Sequence, residues 1–126
     1  MADTDKSTKQ TPWPTEIRLS SDKRLVTVAF EDGARFELSA EYLRVMSPSA
    51  EVRGHAPHEK KTVAGKKNVR IASIEPMGRY AVKFAFDDGH ATGIYAWAYL
   101  HELGATVADK WRTYMAELKA KGLARE

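Results

Sequence analysis

VTVAFEDGARFEL (residues 26–38) and VKFAFDDGHATGI (residues 82–94) superimpose without a gap. Val26, Val28 and Phe30 alternate with Thr27 and Ala29, and Val82, Phe84 and Phe86 alternate with Lys83 and Ala85. A period of two marks a strand with one buried face. Each run then meets Asp-Gly, at Asp32-Gly33 and Asp88-Gly89. That dipeptide supplies the positive φ a tight hairpin needs. On the return, Phe36 and Leu38 point one way in the first unit, and Thr92 and Ile94 return in the second, with Leu38 falling on Ile94. After one inserted residue, Tyr42-Leu43 falls on Tyr99-Leu100. The pattern is a duplicated strand–DG–strand–helix unit.

Working outward, Ile17 and Leu19 give a strand before the first hairpin, and Val69, Ile71 and Ile74 give one before the second, turned by Pro76-Met77-Gly78. Ser39 is placed to cap a short helix, AEYLRVM, and AWAYLHEL starts another. A last helix is expected from about Thr106 to Ala120. Val107, Trp111, Tyr114, Met115 and Leu118 form one stripe along it, and Gly122 stops it. The fold class is therefore α+β, with two antiparallel units forming a β core and a C-terminal amphipathic helix packed on it. Residues 1–12 are polar and aperiodic, a disordered tail; the domain is 13–122, interrupted by a long basic loop at 47–68.

The chain has 126 residues, one ordinary domain, with a net charge of +3. Residues 47–70 hold six Lys/Arg and two acids, a local +4; residues 1–12 cancel, so the remainder sums to −1. Basicity confined to one loop does not suit a nucleic-acid face, which spreads cations among aromatics. No apolar run is long enough to cross a bilayer and the N-terminus carries no signal-peptide pattern, so the expected location is cytoplasmic. There are no cysteines, which excludes disulfides, thiolate nucleophiles and thiolate zinc sites.

FDDGHATGIYAW, residues 86–97, collects acids, His90, Tyr95 and Trp97. The turn needs only its Asp-Gly. Asp88 and His90 share a strand face, but two ligands do not make a stable zinc site. His55 and His58 flank Pro57, which argues for loop rather than helix. Arg44, Arg53 and Lys60 are candidates to converge on an anion, with the hydroxyls of Ser47 and Ser49 close in sequence. No nucleophile elbow, phosphate loop or H-x-D pair is present.

WPTEIRLS, FEDG, LRVMSPSAEVRGH and VRIASIEPMGRYAVKFAFDDGHATGIYAWAYL together resemble the gamma-butyrobetaine hydroxylase-like N-terminal domain family, over roughly Trp13 to Leu103. Similar domains stand alone in bacteria, are fused to P-loop ATPases of iron–sulfur cluster assembly, or precede the oxygenase domain of hydroxylases. In those hydroxylases the resemblance implies a zinc module of three cysteines and one histidine. Here Ser47 and Ser49 stand at two of the cysteine positions, the third falls near Val52, and His90 alone remains. Residues 1–126 do not include an oxygenase half, so the iron and 2-oxoglutarate chemistry of those hydroxylases is not expected of them.

The expected function is a non-catalytic binding module that docks on another protein, in iron–sulfur or oxygenase systems, with no cofactor. Its expected surface is Arg44, Ser47, Ser49, Arg53, His55, Lys60 and the DDGH turn, with Tyr95 and Trp97 as aromatic anchors if exposed. The alternative is a metal-binding or iron–sulfur-assembly accessory protein, handling zinc or iron through His90, His55 and carboxylates such as Asp88. A nucleic-acid binder using residues 60–67 ranks behind both, and an enzyme ranks last.

Overall fold

The computed structural model describes residues 12–48 and 62–126. Strand β1 (Pro14–Leu19), β2 (Leu25–Phe30) and β3 (Arg35–Ser39) form one antiparallel sheet in that order and lead into helix α1 (Ala40–Val45). Strand β4 (Ile71–Met77), β5 (Ala81–Phe86) and β6 (Ile94–Ala96) form a second sheet in the same order and lead into α2 (Trp97–Ala105), followed by α3 (Val107–Ala120). The duplication read from the sequence is the architecture.

The details repeat as well. Both Asp-Gly turns place glycine at φ +92°, a conformation that costs a residue with a Cβ 1–2 kcal/mol or so. Each first strand carries a bulge at the same place, between Pro14 and Glu16 opposite Phe30 and between Ile71 and Ser73 opposite Phe86. The helices exchange reciprocal bonds: Tyr42 donates its hydroxyl to the Leu103 carbonyl at 2.7 Å, and its counterpart Tyr99 donates to the Met46 carbonyl at 2.6 Å. Ser39 caps α1 by accepting from the Tyr42 amide at 3.0 Å.

One core joins the two units. Val26, Val28, Phe30 and Leu38 meet Val82, Phe84, Phe86 and Tyr95, roofed by Tyr42, Leu43, Leu100 and Leu103. Helix α3 closes it through Trp111, which packs against this core and meets the Tyr42 ring at 6.2 Å. Tyr114 and Leu118 form a satellite cluster with Val45. The apolar stripe is narrower than its spacing suggests, because Val107 and Met115 remain exposed.

The structure moves two expectations. The strand before the second hairpin runs through Pro76 and Met77, so the turn begins only at Gly78. On the return strand, Val26 pairs with Leu38 but its counterpart Val82 pairs with Tyr95, not Ile94. The extra residue of the second unit therefore lies between His90 and Ile94, before the strand and not after it. A slip of one position exchanges the faces of a strand. Tyr95 is accordingly fully buried and Ile94 is 48% exposed.

Candidate functional site

The inserted residue gives the second unit a corner that the first lacks. Asp88 sits in the Asp-Gly turn, and its Oδ1 accepts from the His90 amide at 3.0 Å. Its Oδ2 accepts from Arg44 Nε at 2.8 Å and from Lys66 Nζ at 2.6 Å. Arg44 comes from the end of α1, and Lys66 from the segment preceding β4. Burial alone would raise the Asp88 carboxyl; the Lys66 ammonium, the His90 amide and the Arg44 guanidinium outweigh it and bring it down to about 2. Asp87 has a separate task, accepting from the Arg70 amide at 3.1 Å.

Behind this ion cluster lie two buried polar groups. Ser47 Oγ and His90 Nε2 are 2.9 Å apart, with the residues 1% and 7% exposed. The Tyr95 hydroxyl donates to the Leu43 carbonyl and also bonds Ser47. Burial pushes that phenol above its ordinary range. Gly93 makes the arrangement possible: a Cβ there would lie 2.3 Å from Ser47 Oγ. Arg44 Nη1 is buried and has no hydrogen-bond partner among the described residues.

The duplication supplies an internal reference. In the first unit Asp32 Oδ1 accepts from the Ala34 amide at 2.9 Å, and Oδ2 meets His101 Nε2 at 2.9 Å. Asp32 matches Asp88, Ala34 matches His90, and His101, two residues after Tyr99, matches Arg44, two after Tyr42. The first corner is shut by rings. Phe30 and Phe36 stand edge-to-face with His101 at 4.8 and 5.4 Å, and Phe36 presses on Gly104, where a Cβ would lie 2.3 Å from the ring. In the second corner Gly93 takes the place of Phe36 and Ser47 the place of Gly104, as the strand registers and the tyrosine alignment require. At the matched positions the side chains of His90, Arg44 and Ser47 thus stand in place of Ala34, His101 and Gly104, and Gly93, which admits the Ser47 hydroxyl, stands in place of the packed Phe36 ring.

Of the residues expected to form a site, the structure brings Arg44, Ser47, Asp88 and His90 together. Tyr95 is removed as an aromatic anchor, because the register buries it completely. Trp97 is partly buried against the core and donates its indole N–H to the Arg79 carbonyl at 2.8 Å, a packing role. Ser49, Arg53, His55 and Lys60 lie outside the described residues. Lys66 and Gly93 were not singled out by sequence. Lys66 was hidden within a run of lysines, and Gly93 is recognisable only once the inserted residue is located.

The sequence model for "Gamma-butyrobetaine hydroxylase-like, N-terminal" matches residues 17–101. The chain belongs to that family. Two solved structures, both NMR solution structures, match with a TM-score of 0.80 each. One is 40% identical, covering 93% of this chain and 92% of its own; the other is 44% identical, covering 100% and 91%. A crystal structure of a DUF971-family protein of unknown function from Acidithiobacillus ferrooxidans is 39% identical, with a TM-score of 0.61, covering 73% of this chain and 92% of its own. No curated protein matches. This gamma-butyrobetaine hydroxylase-like N-terminal domain is thus one of a family whose function is not established.

The zinc that the hydroxylase resemblance implies does not fit the residues present. The chain has no cysteine, and no three His, Asp or Glu side chains converge among the described residues. His90 Nε2 faces the Ser47 hydroxyl, a neutral group and a poor zinc ligand. The carboxylate two residues away already holds two cations. Arg44 and Lys66 make the corner repel a metal ion. None of the helices among the described residues is long and apolar enough to cross a membrane.

Proposed function

We propose that this domain is a non-catalytic binding module that docks on another protein through the Arg44–Lys66–Asp88 corner. The observation that carries the reading is the broken internal symmetry. Two units that match in turn, bulge and helix differ at one corner, where packing residues give way to polar ones. Packing alone does not call for this, since the ring-filled twin already closes the same geometry. Ser47 and His90 resemble a nucleophile–base pair by distance. Both are buried beneath the surface, however, where they support the corner and are out of reach of a substrate carbonyl. A hydroxylase or an iron–sulfur assembly protein is the first partner to examine, since the family is named for the former and the resemblance extends to the latter.

Photo-crosslinking in the native host tests the reading, with the cross-linking side chain placed at Lys67, beside the corner. Wild type should yield one reproducible adduct. Arg44→Ala with Lys66→Ala should lose it, and His101→Ala at the twin corner should retain it. Equal yields from all three proteins would refute docking at this corner.

A further inference from the structure

We infer that the corner is a binding site for a single oxyanion, a phosphate or a carboxylate, held by the Lys66 ammonium and the Arg44 guanidinium. The inference deepens the docking reading by naming the chemical group recognised, and so rests on it for biological meaning. Its physical basis is separate. A buried guanidinium N–H without an acceptor among the described residues is costly, and such a group calls for an oxygen acceptor from outside the protein, a water or an anion. Arg44 uses Nε on Asp88 and leaves Nη1 unmatched. Lys66 lies on the same carboxylate oxygen. Two cations and one anion leave the cluster with a net positive charge.

The twin corner argues in the same direction. Its Asp32 meets an imidazole, not a guanidinium, and Phe36 packs on that imidazole where the second corner has Gly93 and the Ser47 hydroxyl that Gly93 admits. The same backbone therefore carries a closed version and a donor-rich version of one geometry. The donor-rich version combines two cations on one carboxylate with an unmet N–H, the features that favour an oxygen anion over a metal ion.

Titration of the isotopically labelled full chain with sodium phosphate, followed by amide and arginine side-chain NMR, tests the inference. A second titration with sodium acetate separates phosphate from carboxylate, and sodium chloride at matched ionic strength is the reference. Expected are saturable shifts at Gly89, His90, Lys66 and the Arg44 side chain with phosphate, acetate or both, and no saturable shift at Gly33, Ala34 or His101. Arg44→Gln should weaken the apparent affinity at least tenfold. Lys66→Met, which leaves the Arg44–Asp88 pair in place, should weaken it severalfold and so covers the case in which Arg44→Gln fails to fold. Shifts that chloride reproduces, shifts of equal size at both corners, or affinity unchanged in the variants would overturn the site. Saturable binding with no change in the cross-linked adduct would sink the docking reading and leave the oxyanion site standing.

Discussion

Gly93→Ala tests the reasoning behind the second corner most directly. The added Cβ would lie 2.3 Å from Ser47 Oγ, 3.2 Å from Pro48 Cδ and 3.4 Å from Tyr95 Cε1. Only the hydroxyl is intolerably close, and it escapes by rotating away from His90. Forcing a methyl into a packed interior costs about 1–3 kcal/mol. The lost buried hydrogen bond adds about 1 kcal/mol. Restricting the unfolded chain returns about 0.4–1 kcal/mol. The net loss is about 2 kcal/mol. Ser47→Ala alone removes the same hydrogen bond without the clash, at about 1–2 kcal/mol. In the double variant the offending oxygen is gone, so its loss should stay near 2 kcal/mol and fall well short of the sum. Guanidinium unfolding followed by tryptophan fluorescence gives all four stabilities, and the cycle should show a coupling of at least about 1 kcal/mol. Additivity within about 0.5 kcal/mol, or a neutral Gly93→Ala, would refute the claim that Gly93 exists to admit Ser47.

Tyr42→Phe should destabilise the chain by about 1–2 kcal/mol, measured by thermal unfolding, because the Leu103 carbonyl loses a buried donor. Gly89→Ala at φ +92° should cost about 1–2 kcal/mol, although its Cβ would meet no atom within 4 Å; a neutral result would show that the turn relaxes freely. Acid unfolding should carry a contribution from Asp88. Its carboxyl is brought down to about 2 in the folded chain against the ordinary 3.8 of the unfolded one, so its stabilisation is complete above pH about 4 and is lost as pH falls through about 2. With partial solvent screening the contribution is about 1–2 kcal/mol. Asp88→Asn should flatten that limb of the stability–pH curve, and an unchanged curve would contradict the ion cluster.

The hairpins were legible in the sequence because alternation and Asp-Gly are local signals, and the internal repeat made each half evidence for the other. Arg44, Ser47, Asp88 and His90 were legible as candidates by residue type. Their convergence was not, since Ser47 and His90 come from different units and meet only when the helices dock. Tyr95 was misread because the inserted residue was assigned after the return strand. A single position decides which face of a strand is buried, and local pattern does not locate an insertion between matching ends. Lys66 was lost in a stretch where every lysine looks alike. The unmatched Arg44 nitrogen is a property of three-dimensional surroundings alone.

Both ends of the stretch spanning 49–61 are fastened. On one side the Met46 carbonyl takes the Tyr99 hydroxyl and Ser47 is held by His90; on the other the Val63 carbonyl takes the Tyr114 hydroxyl at 2.6 Å, and Lys121 reaches Thr62 at 2.8 Å. The partners in these four bonds, Tyr99, His90, Tyr114 and Lys121, all lie outside that span, so the folded framework itself fixes where the chain leaves it and where it returns.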